Sequence, residues 1–275
     1  MNTSRGFTLI EMAIVLIIVT ILVGGLAMPL AAQIQARRVA ETKKTLEEAR
    51  EAIIGFAMTR TITNTCTCNY NASGNLDSST CSIIGTSWCP AIAQPNQSFT
   101  ANYTRPYLPC PDTNGDGIEE RTANSGNSCG AANGFLPWVT LGTASQDGWG
   151  NRLRYSVDTT TYSSKLVGMP NPPGSSTNLK RVCKSSLCTS VEADNLPVVI
   201  LSHGPNGWGA RNINGNTLQA PTSTDELENA TDTNANFVSR TPTDAASSSG
   251  EFDDLVVWIS DSTLRSRVCP SGGCP

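Results

Sequence analysis

The sequence predicts an α+β fold, in which a long N-terminal helix packs on a small antiparallel β-sheet with disulfide-rich loops. Three observations lead to this fold class. An apolar run at residues 7–32 passes into an amphipathic pattern at 33–60 without a clear break. Three later segments have strand character, and all ten cysteines lie after residue 60. A globular head is therefore expected at 61–275, beyond the helix.

The apolar half of the predicted helix is long enough to cross a membrane. Residues 7–32 carry a single charge, Glu11, and at 1.5 Å per residue they extend about 39 Å, more than a ~30 Å hydrocarbon layer. A carboxylate inside a membrane helix costs at least about 2.5 kcal/mol, so we interpret Glu11 as functional. Gly24, Gly25 and Pro29 predict either local bending or melting of the helix, or the ordinary tolerance of membrane helices for such residues.

The second half of the helix has an apolar stripe that is expected to face the sheet. Apolar residues recur there at intervals of three, four or seven, namely at Val39, Leu46, Ala49, Ile53 and Phe56 or Ala57. The polar side of the helix carries opposite charges four residues apart, Lys43 with Glu47 and Lys44 with Glu48. This side is predicted to be a solvated face.

The cysteines indicate an oxidising compartment for the head. Their even number, confined to one side of the apolar segment, favours disulfides over a zinc site, because the spacings form no paired CxxC sets and His203 is the sole histidine. Three pairs each close a short loop, and they are Cys110–Cys129, Cys183–Cys188 and Cys269–Cys274. Cys66 and Cys68 are then expected to pair with Cys81 and Cys89, in either order.

The distribution of charge limits the partners of the head. The whole chain has a net charge of -4, and residues 61–275 carry twelve Lys/Arg against eighteen Asp/Glu. An acidic head makes nucleic acid an unlikely partner, because phosphate binding uses clustered cations.

The charges that flank the apolar segment conflict with the cysteines over membrane topology. Arg37, Arg38, Lys43 and Lys44 outnumber Arg5 plus the terminal amine, which alone would place the head in the cytoplasm, whereas the cysteines place it outside.

Three segments of the head are predicted strands. The segment 151–157, NRLRYSV, places Leu153, Tyr155 and Val157 on one face and polar residues on the other, as in a half-buried strand. The segments 196–202 and 253–260 are nearly continuous apolar runs, which is typical of central strands. Residues 61–105 have no clear period and four cysteines, so they are interpreted as a disulfide-stapled insertion or a flexible loop.

One stretch has the spacing of a calcium loop. DTNGDGIEE offers oxygen ligands at Asp112, Asn114 and Asp116, with Gly117 at the sixth position and Glu120 at the ninth. The twelfth position is Ala123, where such loops carry a bidentate glutamate, so the alternative is a plain Asp/Asn/Gly turn. No Lys lies nearby to offset the carboxylates. A second pair of oxygen ligands, Asp253 and Asp254, precedes the last predicted strand.

The remaining candidates for chemistry are weak, and the chain is not expected to be an enzyme. His203 ends a strand without a GxSxG, HExxH or P-loop motif, so it is interpreted as a turn or packing residue. The five tryptophans could form an exposed binding platform, but buried packing is the expectation; they are Trp88, Trp138, Trp149, Trp208 and Trp258.

The N-terminal stretch RGFTLIEMAIVLIIVTIL resembles the start of type IV pilins and type II secretion pseudopilins. The resemblance implies that a prepilin peptidase cleaves a leader, residues 1–6, between Gly6 and Phe7, and that Phe7 becomes N-methylated. It also implies an assembly role for Glu11, whose carboxylate pairs with the terminal amine of a neighbouring subunit; the alternative is a contact with the subunit's own amine. Such a pair sets the register of assembly rather than adding stability.

Four shorter pieces are similar to large pilin-like and pseudopilin proteins of Gram-negative bacteria, namely GFA, LPCPDTNGDG, DGWGNRLRY and FDDLVVW. DGWGNRLRY departs from the usual pattern, because Gly148 and Arg152 stand where prolines are common. Some secretion pseudopilins bind Ca²⁺ in the C-terminal region, which adds to the expectation of calcium here.

Together these features predict a structural subunit, expected to be a minor one, of a type IV pilus or pseudopilus. The alternatives are a type II secretion pseudopilin that aids protein export and a tip module for adhesion or DNA uptake. The implied partners are other pilin-like subunits, the prepilin peptidase, assembly platform proteins and the inner membrane. The expected location is a single pass through that membrane with a cytoplasmic N-terminus and a periplasmic head, followed by the filament or cell surface.

Overall fold

The computed structural model describes residues 8–69, 98–122, 126–165, 168–169, 178–231, 233 and 235–269, without side chains at 23–29, 63–69 and 98–104. Its helices are α1 (Leu9–Thr59), α2 (Trp138–Leu141), α3 (Thr224–Ala230) and α4 (Asp261–Val268). Its strands are β1 (Thr61–Asn69), β2 (Ser98–Pro106), β3 (Asn133–Phe135), β4 (Arg154–Val157), β5 (Lys180–Cys183), β6 (Val191–Leu196), β7 (Val198–Ser202), β8 (Asn236–Val238) and β9 (Leu255–Ile259).

Helix α1 is one continuous helix of 51 residues, about 77 Å long at 1.5 Å per residue. Its backbone stays helical through Gly24, Gly25 and Pro29, so these residues do not end the helix. Among the described residues, we find no helix with both the length and the apolar character needed to span a membrane. The predicted membrane span at 7–32 is therefore not confirmed and stays a prediction.

The two halves of α1 have different surroundings. The described side chains from residue 9 to 38 are exposed, whereas the later half buries Leu46, Ala49, Ile53 and Ala57 as predicted. The predicted stripe was wrong in detail. Val39 is only half-buried, and Ile54, which it omitted, is fully buried. The buried apolar residues of α1 thus begin at Leu46, in the last third of the helix, and pack it against the head.

A four-stranded antiparallel sheet packs against α1, with strand order β3-β4-β7-β9. The central strand β7 contributes Val198 and Ile200 to the core that contains the helix residues. Its other face contributes Val199 and Leu201 to a second core, together with Phe237 of β8. Because both faces are covered, β7 has no polar face, which explains the continuous apolar run in its sequence.

The expectation that β4 is half-buried was wrong, since all four of its residues are buried. Arg154, predicted to face solvent, donates to the backbone carbonyls of Ala230 (3.0 Å) and Thr231 (2.8 Å) at the end of α3. Ser156 on the same face is also buried. The second layer of the head covers this face, and its presence could not be inferred from the alternation alone.

Two further sheets extend beyond the predicted architecture. Strands β6, β5 and β8 form a mixed sheet, in which β5 and β8 run parallel, so the expectation of purely antiparallel strands was wrong there. Strands β1 and β2 pair along nine residues each at the two ends of the 61–105 segment, where the sequence showed no clear period. Cys81 and Cys89 lie outside the described residues, as do the side chains of Cys66 and Cys68.

Two predicted disulfides are present in the described head. Cys110–Cys129 closes a loop of sequence separation 19, and Cys183–Cys188 closes one of separation 5. Cys269 is also disulfide-bonded, while its predicted partner Cys274 lies outside the described residues. Cys183 is the last residue of β5, so the shorter disulfide closes the loop that follows this strand.

Candidate functional site: the N-terminal helix and two carboxylate clusters

Glu11 lies in the first turn of α1 and forms a capping box with Thr8. The Glu11 carboxylate accepts hydrogen bonds from the Thr8 backbone N–H and hydroxyl, both at 2.8 Å, and the Thr8 hydroxyl accepts from the Glu11 backbone N–H at 3.4 Å. A carboxylate has about four acceptor positions, so these contacts leave capacity for a further cation. Gly6 and Phe7 lie outside the described residues, and the predicted processing site stays a prediction.

The first half of α1 presents apolar side chains to its surroundings. Leu9 is 89% exposed, Leu16 62% and Ile21 67%, and Leu30 and Ile34 farther along the helix are exposed as well. Exposed apolar surface on this scale marks an interaction with other subunits or with lipid, since a water-exposed helix of this composition would be unfavourable. The exposed half contains Glu11 near its start and ends where the head begins.

The turn at residues 147–150 attaches the head to α1. Gly148 N–H donates to the Thr42 hydroxyl at 3.0 Å, and Trp149 Nε1–H donates to Gln35 Oε1 at 3.2 Å. A Cβ on Gly148 would lie 2.7 Å from the Arg38 carbonyl oxygen, so only glycine permits this approach. The sequence DGWGN thus positions the head on the helix through backbone contact.

Asp112, Asp116 and Glu120 form the first carboxylate cluster, with ligand oxygens within 4.8 Å of one another. The Asp112 side chain is fully buried and accepts from three backbone N–H groups, those of Asn114 (3.1 Å), Gly115 (2.6 Å) and Gly117 (2.8 Å). Asn114 instead accepts from the Asp116 N–H at 2.8 Å, and Glu120 accepts from the Thr113 N–H. The carboxylate and amide oxygens of this turn thus already accept hydrogen bonds from the protein, and its role as a calcium loop stays a prediction.

Two arginines lie beside this loop, near which the sequence has no Lys. Burial lowers the pKa of Arg152, and the negative charge of Asp112 offsets part of this effect. The Arg211 guanidinium lies 3.6 Å from the position that a Cβ on Gly115 would take. Arg152 also stacks over the half-buried Trp138 ring at 3.9 Å. Neither arginine is close in sequence, and only the fold brings them here.

Glu226, Asp253 and Asp254 form the second cluster, again within 4.8 Å of one another. Glu226 comes from α3, and the two aspartates directly precede β9. Asn206, in the turn after β7, donates its backbone N–H to Asp253 Oδ2 at 3.0 Å and its side-chain amide to Glu226 Oε1 at 3.2 Å. Gly204 in the same turn has φ +60°, and a Cβ there would lie 2.3 Å from the Asp253 carbonyl oxygen.

The second cluster concentrates negative charge in a buried place. Glu226 is 1% exposed and Asp254 4%. Oδ1 of Asp253 and Oδ1 of Asp254 are both buried and accept no hydrogen bond within the described residues. Burial raises the pKa of Asp253 to about 7, and the charges of Glu226 and Asp254 add to this effect. Burial, followed by the charge of Asp254, likewise raises the pKa of Glu226.

His203 lies at the edge of the second cluster. Its buried Nδ1 is 3.6 Å from Asp254 Oδ1, longer than a hydrogen bond. The neighbouring Ser202 hydroxyl donates to Asp147 Oδ2 at 2.6 Å, so it belongs to the turn that holds α1. Nothing among these contacts resembles a nucleophile activated by a histidine.

Sequence reasoning found two of the three carboxylates in this cluster. Asp253 and Asp254 are adjacent in the sequence, whereas Glu226 is about 27 residues earlier, in a helix that the sequence analysis did not identify. The only local signal was the pair of acidic residues in the first turn of α3, Asp225 and Glu226. That signal is typical of any helix start and does not distinguish a ligand.

Comparison with known proteins identifies the N-terminal segment. The prokaryotic N-terminal methylation motif matches residues 1–27, which is the prepilin signal of type IV pilins and pseudopilins. The motif supports a protein of the type IV pilin or pseudopilin family, and it implies a structural role, processing by prepilin peptidase and assembly with other pilin subunits. Neither the curated proteins nor the solved structures gave a match.

Proposed function

We propose that this chain is a minor subunit of a type IV pilus or pseudopilus, anchored in the inner membrane before assembly and carrying its head on the periplasmic side. One observation carries the proposal. A single 51-residue helix has an exposed apolar half that follows the methylation motif and a second half that forms the core of the head. Such a helix suits a subunit that moves from lipid into a filament without refolding.

The first half of α1 would serve as the assembly element. In a filament core or a bilayer its exposed apolar side chains become buried, which stabilises either location by the hydrophobic effect. Glu11 would then pair with the terminal amine of a neighbouring subunit. A subunit in the wrong register would leave both charges unpaired in apolar surroundings, which is costly.

The proposal is tested by the N-terminus of the protein isolated from membranes or filaments. We expect a mature chain that begins with N-methylated Phe7, six residues shorter than the precursor. Gly6→Ala should still be processed, whereas a bulky residue at Gly6 should block cleavage. Mass spectrometry of the N-terminal peptide measures both, and a mature terminus beyond Ala32 would refute the proposal.

The two alternatives differ in what a deletion strain loses. Export of secreted proteins would fail if the chain belonged to a secretion pseudopilus, while pilus number or surface adhesion would fail if it belonged to a pilus. The length of the head and the 61–105 insertion favour a minor subunit over the bulk one. If the deletion strain kept its normal number of pili but lost adhesion or DNA uptake, the chain would be a tip module.

We further propose that the head binds Ca²⁺. The Glu226–Asp253–Asp254 cluster supports this more strongly than the Asp112 loop. Its buried Asp253 Oδ1 and Asp254 Oδ1 accept no hydrogen bond within the described residues, whereas Asp112 already accepts three and lies near Arg152. Hard oxygen ligands of this kind suit Ca²⁺, which would supply the positive charge that the cluster needs.

The Asp112 loop remains the alternative calcium site, with Asp112, Asn114, Asp116 and Glu120 as its ligands. Paired variants separate the two sites, because each keeps the other cluster intact. Asp112→Asn/Asp116→Asn removes charge from the first, and Glu226→Gln/Asp254→Asn removes it from the second. A calorimetric titration of the full chain in micelles with Ca²⁺ should lose its signal in the second variant only, and an unresponsive wild type would refute both sites.

A further inference from the structure

The first half of α1 ends in positive charges that the proposed function leaves unexplained. Arg37 and Arg38 follow the exposed apolar surface that ends at Ile34, and both side chains are exposed. Within the described parts of the chain, neither guanidinium makes an ion pair or a hydrogen bond. Between residues 37 and 44 there are four Lys/Arg and one acidic residue, Glu41.

The head brings an indole to the same level of the helix. Trp149 Nε1–H donates to Gln35 Oε1 at 3.2 Å, and Gly148 packs directly on the backbone of Arg38. Tryptophan and arginine are the residues that favour the boundary between lipid and water, since each combines an apolar body with a polar tip. The first contact of the head with the exposed half of α1 therefore places these residue types side by side.

The length of the exposed segment matches a bilayer that includes its headgroups. Arg37 lies 28 residues after Leu9, which corresponds to about 42 Å at 1.5 Å per residue, against roughly 40–45 Å for a bilayer with its headgroup layers. With Leu9 at one surface, Arg37 and Arg38 therefore lie among the headgroups of the other. We propose that Arg37, Arg38 and Trp149 form a collar that binds the headgroups of anionic phospholipids; this rests on the proposed membrane anchoring.

The local charges favour anionic over zwitterionic headgroups. Lys44 is paired with Glu48 at 3.5 Å and Glu47 with Arg50 at 3.0 Å, so these acidic residues are engaged farther along the helix. Glu41 is the acidic group nearest to the two arginines in the sequence, and a single carboxylate does not neutralise them. The collar also accounts for the positive flank that conflicted with the cysteines in predicting topology, since these charges hold the head at the membrane surface.

The test uses the full chain in phosphocholine micelles, titrated with phosphatidylglycerol while tryptophan fluorescence is recorded. Arg37→Gln/Arg38→Gln should raise the phosphatidylglycerol fraction at half-change about 30-fold, equivalent to roughly 2 kcal/mol at about 1 kcal/mol per basic residue. Trp149→Phe should remove most of the signal. The matched control, Arg181→Gln/Lys184→Gln in the head, should titrate like the wild type.

Equal titration curves for the wild type and Arg37→Gln/Arg38→Gln would overturn the collar. It would also be overturned if inorganic phosphate changed the tryptophan fluorescence of the wild type as much as phosphatidylglycerol does. Cell fractionation separates this failure from that of the proposed function. Both proteins should remain in the inner-membrane fraction, because the collar orients an anchor that the apolar half of α1 provides. Absence of the wild type from that fraction would instead count against the proposed function.

Discussion

Removing Asp253 should make the stability of the head less dependent on pH and on calcium. Its pKa is raised to about 7 in the folded state, from an ordinary value of 3.8, chiefly by burial. The folded protein therefore holds this proton more tightly than the unfolded chain. Without metal, stability contributed by the protonated carboxyl is complete below about pH 4 and is lost as the pH rises to about 7.

The size of the effect follows from the shift and from the partial exposure of Asp253. A shift of about three pKa units corresponds to roughly 4 kcal/mol, and screening by solvent at a partly exposed group reduces this to about 2 kcal/mol. Calcium acts in the opposite direction, because it binds the ionised cluster. At 1 mM over a ~10 μM site it adds roughly 2.7 kcal/mol, or about 5–10 °C in Tm for a chain of this size.

The assay is denaturant unfolding of the full chain in micelles at pH 5 and pH 8, with EDTA or with 1 mM Ca²⁺. In EDTA the advantage of Asp253→Asn over the wild type should grow by about 1 kcal/mol from pH 5 to pH 8, because part of the stabilisation by the protonated carboxyl is already lost at pH 5. Calcium should restore the wild type at pH 8 and leave Asp253→Asn unchanged. Asp112→Asn/Asp116→Asn is the control and should retain both responses. A wild type with the same pH dependence as Asp253→Asn would refute the reasoning.

Three further perturbations test the helix, its contact with the head and the disulfides. Glu11→Gln keeps the capping box, whereas Glu11→Ala loses about 1 kcal/mol of helix capping. If the charge is needed for assembly, both variants should be incorporated less into filaments. Normal incorporation of Glu11→Gln would leave Glu11 with only its capping role. Gly148→Ala should cost about 1–3 kcal/mol in urea unfolding because its Cβ meets the Arg38 carbonyl, while Gly130→Ala, with 4.0 Å to its nearest atom, should be neutral. Opening Cys110–Cys129 with two serines should cost about 3 kcal/mol, more than opening the shorter Cys183–Cys188 loop; an equal loss in melting experiments would contradict the loop-length argument.

The helix was predictable because its signal is local. The apolar run and the period of 33–60 act within a few turns, and the core residues Leu46, Ala49 and Ile53 follow from that period alone. The strand β4 shows where this reasoning ends. The alternation of apolar and polar residues in β4 predicted one solvent-exposed face. Arg154 on that face is instead covered by the end of α3, an element distant in the sequence. What covers a face depends on contacts that no local pattern encodes.

The candidate site divides in the same way. The sequence proposed Asp112, Asn114 and Asp116 as ligands because the spacing of a calcium loop is a local pattern, whereas the arginines beside them come from residues 152 and 211. Glu226 completes the second cluster across about 27 residues of chain. Local motifs therefore indicated carboxylates that are close in the sequence, while the fold determined which carboxylate oxygens lack hydrogen-bond donors within the described residues.

The position of the second cluster bears on how the head and the helix work together. Asp253 and Asp254 precede β9, whose Leu255 and Val257 pack against the core that contains α1. The same turn after β7 that supplies Asn206 begins at Ser202, which donates to Asp147 in the turn that holds Gly148 on the helix. A cation at the cluster would thus fix the strand ends nearest the point where the head joins α1. The turn that holds Gly148 also carries Trp149, which contacts Gln35 of α1. The hydrogen bonds from Ser202 to Asp147 and from Asn206 to Asp253 therefore link the carboxylate cluster to the contact that orients the head on α1.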